Sequence, residues 1–134
     1  MDDLTIVAAL FDAIERKRPS AVADLYTDDV QVWHNFSNTS QSKSENIQVL
    51  TALCENVPEI HYDVIERVAL EDGRVLQRHT LRAETVTGEQ VLIPACMLLE
   101  LRDGRIARID EYLDTAQANR LRTLTGRGPV VAES

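Results

Sequence analysis

Hydrophobic positions in the first part of the chain recur with a helical period. Between Asp3 and Arg18, Leu4, Val7, Ala8, Leu10, Phe11 and Ile14 fall on one face of a helix, and Pro19 stops the run. Pro19 also suits the first turn of a second short helix, "PSAVADLY". Asp28 and Asp29 break that helix, and Tyr26 sits at its end. Val30 to Asn35 then alternates as a short strand, and "SNTSQSKS" reads as a polar loop. Ser44 precedes "ENIQVLTALCENV", which predicts a capped third helix with Ile47, Leu50 and Leu53 or Cys54 on one side.

From Pro58 onward the period drops to two. Four strands are expected, at 58–70, 75–86, 90–102 and 105–114, joined by "EDGR", "TGE" and "RDGR". Asp-Gly and Thr-Gly between β-branched runs are hairpin signals. Asp114 can cap a last short helix, "TAQANRLRTL", before a tail at 126–134. The order helix, helix, strand, helix, four-stranded meander predicts one α+β domain over 1–125. A curved antiparallel sheet of this size needs its concave face covered, and the N-terminal helices are the available cover. A cone-shaped domain with a pocket between sheet and helices follows.

Composition narrows this picture. A chain of 134 residues suits one core, and 44% hydrophobic with 27% charged residues is ordinary for a globular protein. No window holds the roughly 18 apolar residues of a membrane span. The start, "MDDLTIVAAL", lacks the basic stretch and cleavage site of a signal peptide, so a cytoplasmic location is expected. A net charge of −8 argues against nucleic-acid or anionic-membrane partners. The basic clusters "ERKR" and "RLR" read as helix ends, where cations suit the helix dipole. Cys54 and Cys96 lie far apart and outside any CxxC context, which favours two small buried side chains over a disulfide or zinc framework.

Strand alternation sorts the polar residues between the two faces of the sheet. In "RVLQRHTLRAET", the charged residues share one face, leaving Gln77 and His79 on the apolar face with Val75, Leu81 and Ala83. In "IHYDVIERV", His61, Asp63 and Arg67 fall outward, opposite Ile60, Tyr62, Val64 and Val68, with Glu66 among the latter. In "IARIDEYLD", Glu111 lies among Ala107, Ile109 and Leu113, opposite Asp110 and Tyr112. In "VQVWHNF", His34 aligns with Val32 and Phe36, while Trp33 and Asn35 alternate away. A slip of one residue there would exchange His34 for Trp33 and Asn35.

Four polar groups therefore fall on faces that should be dry: His34, Gln77, His79 and Glu111. A buried carboxylate costs several kcal/mol unless it is paired or protonated. Either these groups satisfy one another in a core, or they converge on a ligand as proton-handling groups. In the catalytic reading His79 is the general base or acid, Glu111 orients it or acts opposite, and His34 is the second proton-handling group. Gln77 then positions a water or a carbonyl, with Tyr26, Trp33, Asn35 and Cys96 as further substrate-contacting candidates. A metal site from His34, His79 and Glu111 has the ligand types but no local spacing such as HxxxH, so none is assigned.

The element order, with "LYTDDVQVWHN", "ETVTGEQVLIP" and "LRDGRIARIDEYLD", resembles the nuclear transport factor 2-like superfamily over residues 4 to 123. Within it the chain is similar to SnoaL-like polyketide cyclases, limonene-1,2-epoxide hydrolase and ketosteroid isomerases. The resemblance implies a cystatin-like α+β roll and commonly a homodimer. His34 falls where ketosteroid isomerases carry their proton-moving Asp, but Leu10 and Cys96 replace that family's two oxyanion donors. Against the epoxide hydrolases, Gln77, His79 and Glu111 occupy the Arg and the two Asp positions of the relay. His34 occupies the Asn position there, and Val32 the Tyr position. The expectation is a small acid–base enzyme without metal or organic cofactor, acting on a compact apolar molecule. The alternative is a non-catalytic ligand-binding or dimerisation module, in which the polar groups satisfy one another and leave no free pocket. Leu76, Leu92 and Leu98, on the outward face, are candidates for a subunit contact.

Overall fold

The computed structural model describes residues 1–37 and 39–126, so the tail reading beyond Gly126 lies outside the described residues. The elements run α1 (Asp3–Glu15), α2 (Pro19–Leu25), β1 (Tyr26–His34), β2 (Ser40–Gln41), α3 (Lys43–Asn56), β3 (Glu59–Ala69), β4 (Val75–Glu84), β5 (Gln90–Arg102), β6 (Arg105–Leu113) and α4 (Thr115–Leu124). One six-stranded sheet has the order β2-β1-β6-β5-β4-β3. The meander from β3 to β6 is antiparallel, and β1 adds to β6 in parallel. The architecture is a cone-shaped α+β fold, with α1 packed beneath β3 and β4 and α3 against β1.

Local chemistry explains the helix ends. Asp2 caps α1 by accepting from Thr5 N at 2.8 Å, and Ile6, Val7, Leu10, Phe11 and Ile14 are the buried stripe that follows. Helix α3 starts two residues earlier than the Ser44 cap expected from sequence. Ser42 accepts from Glu45 N while the Glu45 carboxylate accepts from Ser42 N, a reciprocal box that Ser44 cannot form. Asp114 caps α4 as expected, accepting from Gln117 N at 3.1 Å. At the last hairpin Asp103 and Gly104 both have positive φ, 52° and 77°, the pattern of a two-residue type I′ turn.

Three local readings need correction. Strand β1 begins at Tyr26 rather than Val30. Asp28 and Asp29 lie inside it, where its pairing with β6 is irregular between Tyr26 and Gln31. The polar loop contains a two-residue strand, β2, pairing with Val32 and Trp33. A bulge in β3 falls between Val64 and Glu66, so that Val64 opposes His79 while Arg67 opposes Gln77. The extra residue inverts the alternation. Arg67 turns onto the inner face, and Glu66 and Val68, expected inward, turn outward beside Arg78 and Leu76.

The core is one cluster under the concave face. It joins the α1 stripe to Val30 and Val32 of β1, Val91, Ile93 and Leu99 of β5, and Ile106 and Ile109 of β6.

Candidate active site

The helices do not fill the cone. A cavity of about 160 Å3 remains between sheet and helices, walled by Leu10, Phe11 and Ile14 of α1, Leu50 and Leu53 of α3, Ile93 and Met97 of β5, and Ala118 and Leu121 of α4. Polar side chains enter this wall at few places: His34, Glu111, Tyr26, Asn46, Tyr62 and Arg122.

His34 reaches the cavity from the end of β1 because β1 and β6 run in parallel register, with His34 opposite Glu111. Their side chains meet at 2.9 Å, His34 Nε2 to Glu111 Oε1, and are 12% and 14% exposed. That exposure leaves both within reach of a molecule in the cavity and removes most of the water that would compete for them. Phe36 stacks on the His34 ring at 4.9 Å and holds its plane.

Tyr26, the first residue of β1, donates its hydroxyl to Asn46 Oδ1 at 2.8 Å, and Asn46 Nδ2 donates to Gln41 Oε1 at 2.9 Å. Burial, and then the Glu111 charge, push the Tyr26 phenol well above its usual range, so it stays a donor. Tyr62 shares the same causes, burial first and Glu111 next, and is also held neutral. Its backbone N–H donates to Glu15 Oε2 at 2.9 Å, while its hydroxyl has no partner among the described residues.

Gln77 and His79 stand behind this wall rather than in it. They are 0% and 1% exposed and do not line the cavity. Gln77 Nε2 contacts His79 Nδ1 at 2.8 Å, and Arg67 Nε donates to Gln77 Oε1 at 2.6 Å. The His79 ring packs against Phe11 at 5.3 Å and Tyr62 at 5.1 Å, and both of those rings face the cavity. Desolvation lowers the His79 pKa. Glu111 opposes this and Arg67 reinforces it.

The four polar positions chosen by alternation thus form two pairs, His34 with Glu111 and Gln77 with His79. Glu111 makes its short contact with His34, where the sequence reading had it orient His79 or act opposite it. Tyr26 lines the cavity. Trp33, Asn35 and Cys96 do not come to it. Trp33 packs its ring against Tyr112 at 5.2 Å on the outer face. Cys96 opposes Arg78 and Tyr112 on that same face. Asn35 is spent on backbone, donating to Leu113 O at 3.2 Å and accepting from Leu113 N at 3.1 Å, which extends the β1–β6 pairing past His34. Among the described residues no three His, Cys, Asp or Glu side chains gather to hold a metal ion.

Sequence reasoning missed Asn46, Tyr62 and Arg67. Asn46 had a signal, since it precedes Leu50 by four residues and Leu53 by seven on the inner stripe of α3. Tyr62 was on the inward face but was not singled out. Arg67 had none, because period-two alternation places it outward.

An open cone of helices and curved sheet around an apolar cavity defines the class: a nuclear transport factor 2-like α+β protein. Within that class the chain belongs to the SnoaL-like domain family, whose model matches residues 7–109. No curated protein matches it significantly. Solved structures share the fold at low identity. An LEH-like epoxide hydrolase from M. tuberculosis superposes with a TM-score of 0.73 at 19% identity, over 88% of this chain and 86% of that one. A protein of ketosteroid isomerase-like fold from Catenulispora acidiphila DSM 44928, in complex with trimethylamine, gives 0.74 at 14% identity, over 95% of each chain. An NTF2-like protein of unknown function from Burkholderia pseudomallei K96243 gives 0.73 at 19%, over 90% and 98%.

Proposed function

We propose that the chain is an acid–base enzyme that isomerises, cyclises or hydrolyses a compact, largely apolar substrate in the cavity. The observation that carries this reading is the 2.9 Å contact of His34 with Glu111 in a wall that is otherwise mostly hydrocarbon. A carboxylate and an imidazole in contact share a proton that either can give or take, and an imidazole does this near neutral pH. The low dielectric around the pair strengthens its field on a bound molecule. Tyr62, held neutral and lining the cavity, supplies a hydrogen-bond donor to a substrate oxygen.

The test is turnover of a panel of compact epoxides and enolisable ketones by the wild type, His34→Gln and Glu111→Gln. Each substitution is expected to lower the rate by about 10²–10⁴-fold. Equal rates in all three proteins would remove the pair from the mechanism. The second reading, a ligand-binding module without chemistry, is favoured by one observation: Gln77 and His79 are bonded behind the wall rather than presented in it. It predicts binding of panel members that survives Glu111→Gln, with turnover in none of the proteins.

We also propose a homodimer formed through the outer face of the sheet. Leu92 and Tyr112 are 48% and 51% exposed there, beside Trp33, Leu76 and Leu98, an apolar stretch crossing four strands.

A further inference from the structure

We infer that Arg67 is a positioning residue that, acting through Gln77, fixes His79 as a neutral imidazole protonated on Nε2. His79 is then a permanent hydrogen-bond donor and not a base of the proposed reaction. The inference concerns the inner end of the site proposed above and deepens that reading.

The donors and acceptors leave one solution. Arg67 is donor-only and cannot lose its proton. It donates through Nε to Gln77 at 2.6 Å, so the group facing it must be the carbonyl oxygen, Oε1. That fixes the amide, and the NH2 end is the one left to face His79 Nδ1 at 2.8 Å. An amide NH2 is donor-only, so Nδ1 must accept with its lone pair. The ring proton then sits on Nε2, on the side of the imidazole turned away from Gln77. A protonated Nδ1 would set two donors against each other at 2.8 Å in a buried site.

The fold is built to hold this chain. The β3 bulge brings Arg67 onto the inner face directly opposite Gln77. Its guanidinium carbon lies 5.8 Å from the Phe11 ring centroid, so the ring that packs on His79 also steadies the cation. The charged and titratable groups around His79 are Arg67 and Tyr62 of β3 and Glu111 of β6, with Phe11 facing it from α1. Burial and the Arg67 charge both oppose an imidazolium there, and the Glu111 charge alone favours one.

The arrangement leaves proton transfer to His34 and Glu111, which reach the cavity where His79 does not. The arrangement also explains why Gln77 is buried on an apolar strand face, since its amide accepts from Arg67 through Oε1 and donates to His79 through Nε2.

The experiment is long-range 1H–15N correlation NMR of the full 15N-labelled chain, which reads each ring nitrogen as protonated or bare and needs no substrate. In the wild type, Nδ1 of His79 should be bare and Nε2 protonated across roughly pH 6 to 8, where an unperturbed His titrates. In Gln77→Glu the acceptor-only carboxylate should draw the proton to Nδ1. In Arg67→Met the freed amide can turn either way, and both tautomers should be populated. Backbone amide dispersion confirms folding of each variant. If either fails to fold, the wild-type tautomer and the other variant still decide. A wild type protonated on Nδ1, or one unchanged tautomer in both folded variants, would overturn the inference. Because no turnover enters the readout, that result would leave the His34–Glu111 proposal standing or falling on its own assay.

Discussion

Glu111 lies within electrostatic reach of Tyr26, Tyr62 and His79 and in contact with His34. Its loss should therefore act on chemistry more than on folding, and Glu111→Gln, which keeps shape and hydrogen-bonding capacity, isolates the proton. Tyr26 makes the opposite case. Tyr26→Phe strips the donor from Asn46 Oδ1 in a buried site and should cost about 1–3 kcal/mol in urea unfolding. For His79, burial sets the folded pKa below the ordinary 6.5, so the unfolded chain holds its proton more tightly. Its contribution is complete above that ordinary value and is lost as the pH falls toward the folded one. The unfolding free energy should drop as the pH falls below about 6.5, and His79→Gln should flatten that drop. At this scale His34 and Glu111 were legible because a polar group on an apolar strand face stands out. Their partnership was not, because it depends on which strands pair.

Elements explain what the residue pattern hid. Alternation assumes an unbroken strand, and one bulge in β3 was enough to send Arg67 inward and Val68 outward. Deleting Ile65, the extra residue, should restore simple alternation while Arg67 stays opposite Gln77 and keeps its bond to it. Long-range 1H–15N correlation NMR of the deletion variant should therefore read the same His79 tautomer as the wild type, and a changed one would contradict this pairing. Strand β2, two residues long, offers no periodicity to read, and only its pairing with β1 defines it. The caps were more legible, since their chemistry is local. Asp114 was found directly, and the α3 box was missed by two residues because Ser42 and Ser44 compete by type and only Ser42 has a Glu three positions on. Ser42→Ala should cost about 1 kcal/mol, read as a lower urea midpoint at unchanged slope.

For the whole molecule, the meander and its helical cover followed from period and turn chemistry, and so did the cone. The parallel docking of β1 on β6 did not, because nothing local to either strand records it, yet that docking is what brings His34 to Glu111. The outer face has its own consequence. If the apolar stretch around Leu92 and Tyr112 joins two subunits, Leu92→Glu should halve the mass seen by sedimentation at micromolar concentration and leave the monomer folded. A wild type that sediments as a monomer would contradict the dimer. The cavity and its acid–base pair are the centre of the account, and the panel assay with Glu111→Gln tests them most directly. The account predicts turnover of at least one compact epoxide or ketone by the wild type, and a loss of about 10²–10⁴-fold in the variant. Turnover that survives Glu111→Gln undiminished would contradict it.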